Sequence, residues 1–163
     1  MFWRLKRSAW QEGQGAANKR AFRALVRDGR AQGILAYVGP RIAGWCALGP
    51  RSDFPSLERS RILKPVDDAP VWSIVCFFIL PPFRRQGLST RLLEAAVAHA
   101  RRKGARIVEG YPVDPEGDYP PAFAWTGLAT AFRHARFEEV ARRSAARPIM
   151  RRRITGRSRS QPR

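Results

Sequence analysis

The sequence predicts a single α/β domain of the α+β kind, with a mixed, mostly antiparallel sheet flanked by helices. Three observations carry this. Residues 71–80 (VWSIVCFFIL) form one apolar, β-rich run, too short to cross a bilayer, which marks a central strand. Residues 15–28 and 89–103 repeat apolar side chains at helical spacing. Short β-rich runs come in neighbouring pairs, 33–38 with 42–48 and 137–141 with 148–154, as hairpins do. At 163 residues, 44% apolar and 27% charged, the chain suffices for one core.

Met1 to Trp10 alternates bulky and basic residues without the apolar block of a signal peptide, and no apolar stretch approaches the ~18 residues of a membrane span. A cytoplasmic protein is expected. From 15 to 28, Ala17, Ala21, Ala24 and Leu25 form an apolar stripe, with Lys19, Arg20, Arg23 and Arg27 elsewhere around the turn and Gly29 as the stop. Gly39-Pro40-Arg41 punctuates the first hairpin. Pro50, Pro55, Pro65 and Pro70 make residues 49–70 a connecting excursion around a helical patch at 57–63, of the kind that borders a binding cleft.

The central strand, expected to be buried on both faces, ends at Pro81-Pro82. In the helix at 89–103, Leu92, Leu93, Ala96, Val97 and Ala100 share one stripe, Arg101, Arg102 and Lys103 suit its negative C-terminal end, and Gly104 follows. Strand character returns at 106–113, a helix is expected at 123–134, and the second hairpin closes the sheet. The ordered domain is expected to span 1–154. Residues 155–163 carry Arg157, Arg159 and Arg163 without an acid and read as a disordered basic tail.

The 31 Lys and Arg against 13 Asp and Glu leave a net charge of +18, which implies an anionic partner. Lysine stands only at 6, 19, 64 and 103; the arginine excess suits planar phosphate contacts and equally fits the codon usage of a GC-rich genome. Cys46 and Cys76 lie in apolar runs without metal-ligand spacing, as buried free thiols do, and no metal site is expected. His99 and His134 fall on helices beside arginines and are expected to face solvent.

Residues 79–89 (ILPPFRRQGLS) join a buried strand, a turn, an arginine-rich loop with a glycine, and a helix start. Unpaired backbone N–H groups converge at such a junction and the helix dipole adds positive potential, so the expected ligand is a phosphate. Gly87 allows close approach of a ligand, and no Glu or Gln stands three residues after Ser89 or Thr90 to cap the first turn. A Walker loop and the dinucleotide fingerprint are both excluded, since Gly-Lys-Ser/Thr and Gly-x-Gly-x-x-Gly are absent.

The same segment resembles the signature of the GNAT superfamily of acyl-CoA-dependent N-acetyltransferases, Arg/Gln-x-x-Gly-x-Gly/Ala following an apolar strand and Val/Ile-x-Pro. Here Ile79-Leu80-Pro81 precedes Arg84-Arg85-Gln86-Gly87-Leu88-Ser89, with Ser89 a small residue in the last place. Phe132 to Val140 (FRHARFEEV) resembles the family's closing helix-to-strand turn, with Arg136 where a glycine is usual. The resemblance covers residues 15–153. It implies a GNAT-like sheet whose first strand is either short, within Phe2 to Trp10, or missing.

It also implies acetyl-CoA as the acyl-donor substrate and direct transfer to a primary amine of a small molecule, protein or peptide. The pyrophosphate would sit on Arg84, Arg85, Gln86, Gly87, Leu88 and Ser89, the two arginines adding charge-assisted contacts. Pantetheine and the thioester carbonyl would meet the backbone of Phe77, Phe78 and Ile79, one N–H of which polarises the carbonyl. The family's closing-helix tyrosine has no match in residues 122–128 (AFAWTGL).

Direct transfer needs a base for the amine and an acid for the thiolate. Glu109 and Tyr111, two apart on one strand and so on one face, are the catalytic candidates as base and donor, set against an ordinary strand edge. Glu109, Asp114, Glu116 and Asp118 form the one acidic stretch, which would attract a cationic acceptor or be merely solvated. Two other readings stay open: a basic nucleic-acid-associated protein, although no RNA-reading signature is present, and an acyl-CoA sensor without catalysis. The enzyme is expected to be a monomer or homodimer without a membrane partner; nucleic acid, not the favoured partner, would be reached through the basic tail.

Overall fold

The computed structural model describes residues 1–117, 120 and 124–155. The elements are α1 (Arg7–Glu12), α2 (Ala16–Arg27), β1 (Gln32–Val38), β2 (Arg41–Pro50), α3 (Pro55–Glu58), β3 (Trp72–Ile79), α4 (Leu88–Arg102), β4 (Ile107–Gly110), α5 (Ala129–His134), β5 (Glu138–Arg142) and β6 (Pro148–Arg153). They build the expected mixed sheet, six strands in the order β1-β2-β3-β4-β6-β5. Only β3 and β4 run parallel.

Alternation along the strands divides the core between the two faces. The apolar stripe of α4 packs with Cys46, Leu48, Ile74, Phe77 and Val108 on one face, where α5 and Phe137 join it. Trp3, Phe54, Leu57, Leu63, Tyr111 and Ile149 fill the other.

Several expectations need correction. Residues 1–14 contain no strand, so the first strand of the expected fold is missing; Trp3 instead enters the second core layer and donates its indole N–H to the Val75 carbonyl at 2.8 Å. The helix at 15–28 forms, yet none of its residues is buried. The helical patch at 57–63 is α3, earlier and shorter, because Pro55 sits at its start. Phe78 is 48% exposed, so the central strand is not buried on both faces throughout.

The strand at 106–113 leaves the ladder after Gly110. The helix at 123–134 starts only at Ala129, after a turn with Gly127 at φ +87°; Phe123 lies outside the described residues. His99 is not free in solvent: its Nε2 meets Gln32 Oε1 at 2.7 Å and its ring packs on Trp72. Both cysteines are free, and burial pushes the Cys46 thiol up to about 12. Asp118 and the tail beyond Thr155 fall outside the described residues.

The closing turn forms despite its missing glycine. Arg136 N–H bonds to the Arg133 carbonyl and Phe137 N–H to the Phe132 carbonyl, the two bonds of a Schellman cap, with Arg136 at φ +60°. A left-handed conformation costs an L side chain about 1–2 kcal/mol, and Arg136 is exposed. Arg136→Gly is therefore expected to raise the thermal midpoint by the equivalent of about 1 kcal/mol, part of the relief being lost to a more flexible unfolded chain. A lower midpoint in thermal unfolding would reject this reading of the cap.

Candidate active site

The site begins with a defect in the ladder. Ala47 pairs with Cys76 but Leu48 with Ile74, which leaves Val75 as a bulge on β3. The pairing of β3 with β4 covers only Trp72 to Ile74, and beyond it the two strands separate. Residues 124–129 fill the opening. Phe77 N–H donates to the Trp125 carbonyl at 2.6 Å, while Val113 N–H bonds to Gly127 and Ala129 N–H to Val113. The Trp125 ring packs against Phe2 and Trp3, each at 5.5 Å.

A cleft of about 570 Å³ remains between the end of β3, the N-terminus of α4 and the start of α5. Phe77, Phe78, Ile79, Arg84, Arg85 and Ser89 line it, so the structure gathers most of the expected cofactor residues around one space. Trp125, Leu128 and Thr130, on its far wall, carry no sequence signal beyond the Gly127 turn.

Gly87 caps α4 at φ +72° and Arg85 stands at φ +60°, so left-handed residues alternate through the loop and turn its N–H groups towards one side. No side chain caps α4 and its first turn holds no acid. The first-turn N–H groups and the helix dipole are thus available to an anion. Arg84 is steadied by the Ile79 carbonyl, which accepts from its Nε at 3.0 Å, and Gln86 Nε2 donates to the Pro82 carbonyl at 3.0 Å.

The strand edge offers fewer donors than its three residues suggest. Leu80 N–H bonds to the Ala43 carbonyl on β2, so by alternation Phe78 N–H also faces β2, and Phe77 and Ile79 face the opening. Trp125 occupies the first of these. Ile79 N–H is the backbone donor directed at the cleft.

Glu109 and Tyr111 do come together, 2.6 Å apart, but they do not line this cleft. Both are fully buried. Glu109 accepts from Arg151 Nε at 2.6 Å and Arg51 Nη1 at 2.8 Å, and the Tyr111 hydroxyl also meets Ser73 Oγ and Arg51 Nη1, each at 2.7 Å. Burial first, and the Glu109 charge second, hold the Tyr111 hydroxyl well above the usual tyrosine range. Arg51 continues to Glu58 and Arg151 to Asp67, each at 2.6 Å, which ties the excursion 51–67 to β4 and β6.

Of the acidic stretch, Asp114 is paired as well. Asp114 accepts from Arg133 and Arg142, each at 2.7 Å, and these guanidinium groups, Arg133 first, hold its carboxyl below the usual range.

The fold and the sequence together define the class: an acetyltransferase. The chain belongs to the acetyltransferase (GNAT) family, whose sequence profile matches residues 1–116. No curated protein matches it in sequence. Among solved structures it is similar to the ribosomal-protein-alanine N-acetyltransferase of Brucella melitensis, with 15% identity and a TM-score of 0.55 over 89% of this chain and 83% of that one. It is also similar to the PaiA N-acetyltransferase of Thermoplasma acidophilum in complex with coenzyme A, with 12% identity and a TM-score of 0.53 over 90% and 77%. No helix among the described residues is long and apolar enough to cross a membrane.

Removing one member of a buried ion network strands the others. Glu109→Gln is expected to lose on the order of 3–5 kcal/mol, read by urea unfolding, and a loss below 1 kcal/mol would reject its structural role. Tyr111 gives a pH signature. Below about pH 10 both folded and unfolded chains keep its proton; as pH rises from there towards the raised native value, only unfolding releases it, so stability falls. The slope of stability between pH 10 and 11.5 should be shallower in Tyr111→Phe than in the parent.

Proposed function

We propose that the cleft holds acetyl-CoA and passes its acetyl group to a primary amine arriving from the opposite face of the sheet. The observation that carries this is the uncapped N-terminus of α4, with its left-handed loop, opening onto the unpaired end of β3. The pyrophosphate would rest on the N–H groups of residues 84–89, with Arg84 and Arg85 supplying charge. The thioester carbonyl would accept from Ile79 N–H, a donor fixed in place before the tetrahedral intermediate forms.

The amine attacks as the neutral base and sheds its proton to water, because the described lining residues hold no imidazole and their carboxylate, Asp114, is bound by two arginines; the C–S bond then breaks and the departing CoA thiolate takes a proton from water. The described part of the closing helix has no tyrosine: the α5 aromatic is Phe132, which is buried against Gly110, where a Cβ would stand 2.1 Å from its ring. Glu109 and Tyr111 act in this reading as supports for the sheet.

The acceptor side is defined by register. Leu35 pairs with Trp45 and Trp45 with Phe78, so these three form one cross-strand row on the face away from α4. Leu35 is 53% and Phe78 48% exposed, and Phe78 also lines the cleft, which makes the row continuous with it. An acceptor with an apolar or aromatic group beside its amine fits this surface, in place of the cationic attraction expected from the acidic stretch. The protein works away from membranes in this reading, in the cytoplasm.

Acetyl-CoA at 100 times Kd should add about 2.7 kcal/mol, or roughly 5–10 °C, to the thermal midpoint. Adenosine 3′,5′-bisphosphate should give less and heparin should not reproduce the effect. Nothing lies within 4 Å of a Cβ built on Gly87, so the cost of Gly87→Glu is the left-handed φ of +72°, about 1–2 kcal/mol; the variant should fold with a lower midpoint of its own yet lose the shift, and a retained shift would overturn the phosphate assignment. Stabilisation without CoA release across an amine panel would make the protein a sensor instead. Within such a panel, Leu35→Ala should raise KM for 2-phenylethylamine about 3–10-fold and leave that for ethanolamine unchanged.

A further inference from the structure

Arginine is used in two ways in this molecule. Arg51, Arg133, Arg142 and Arg151 are each engaged by carboxylates. A second group converges on a groove of about 490 Å³ at the other end of α4: Arg101 and Arg102 from its last turn, Arg136 from the turn after α5, and Arg152 from β6, while Arg153 at the rim shares by alternation the sheet face of Arg151, where its charge acts on Asp67. Glu94 is the only acid lining it, and no ion pair joins any of these four groove arginines to a carboxylate among the described residues. Arg152 donates to the Ala135 carbonyl at 2.9 Å; Arg101, Arg102, Arg136 and Arg153 are exposed.

We propose that this groove binds the phosphodiester backbone of a nucleic acid. Like charges gathered from three separate elements repel one another in the free protein, and an anion with regularly repeated charges relieves that repulsion. A nucleic-acid strand offers one charge about every 3.4 Å, whereas a single small anion would satisfy one or two guanidinium groups. Planar guanidinium forks match phosphate oxygens, and the apolar stems can lie on Val97 and Ile154 in the groove floor.

The lining includes no aromatic side chain, so bases find no stacking platform and binding is blind to sequence. Residues 88 and 101 lie about 20 Å apart along α4 at 1.5 Å per residue, so the groove is separate from the acetyl-CoA loop. The sequence after Thr155 continues the same charge, with Arg157, Arg159 and Arg163 and no acid.

The test measures fluorescence anisotropy of a 20-nucleotide single-stranded RNA and of a 20-base-pair DNA with the full chain, from 50 to 200 mM KCl. Two triple variants carry the same charge change: Arg101→Gln with Arg102→Gln and Arg136→Gln in the groove, and Arg20→Gln with Arg23→Gln and Arg27→Gln on α2. The groove triple should weaken binding at least 10-fold and flatten the salt slope by about 2 for RNA or 2.7 for the duplex, at about 0.7 or 0.9 per lost contact. The α2 triple should change neither.

Arg101→Gln alone should remove about one such contact, which keeps the test valid if the triple variant does not fold. Selective loss for RNA, for DNA or for both supports the groove and says which form it takes. No binding by the parent chain, equal loss in both triples, no loss in the groove triple, or equal competition by polyglutamate of matched charge would each overturn it. Full loss on deleting residues 156–163 with none in the groove triple would also overturn it, placing the binding in the tail.

Discussion

One buried carboxylate holds the layers together. Glu109 lies at the middle of β4, out of reach of water, and two guanidinium groups reach it from opposite directions: Arg51 from the excursion after β2 and Arg151 from β6. A charge in that position is costly to desolvate, and the compensation comes from completing its hydrogen bonds. With Tyr111, Ser73, Glu58 and Asp67 attached, no buried side-chain polar atom is left without a partner among the described residues. Residues 51–67 are thereby held against the sheet although they contain little regular structure.

That fixed sheet is what allows the opening at β3. A bulge at Val75 would ordinarily weaken a central strand, because it removes ladder bonds from a buried segment. Here the freed carbonyl accepts the Trp3 indole N–H, and the opened edge is partly closed by residues 124–129. The N-terminal segment therefore does structural work in place of the missing first strand. Phe2 and Trp3 support the bulge and the Trp125 wall at once.

Much of this was legible in the sequence because it is local. The α4 stripe, the apolar β3 run, both hairpins and the strand-loop-helix junction at 79–89 follow from spacing of two to four residues. The rest depends on contacts that spacing does not encode. Arg51 and Arg151 stand 58 and 42 residues from Glu109, so local spacing carried no sign that this carboxylate is paired. Trp3 is 72 residues from Val75. His99 seemed exposed because its partner, Gln32, comes from the far side of the chain. Arg136 looked unsuited to a tight turn; the turn forms because its two cap bonds and the Phe132–Phe137 packing outweigh one strained residue.

The strand order has a consequence for synthesis on the ribosome. The hairpin of β1 and β2, with β3 and α4, is contiguous and can assemble as soon as residue 102 has emerged. β4 cannot finish, because its second neighbour is β6, the last strand, which inserts between β4 and the earlier-made β5. Until then the nascent chain presents an open, apolar strand edge with Glu109 lacking one of its guanidinium partners. Closure of the sheet and neutralisation of that carboxylate arrive in the same step, so the late strand is recognised by charge as well as by backbone pairing.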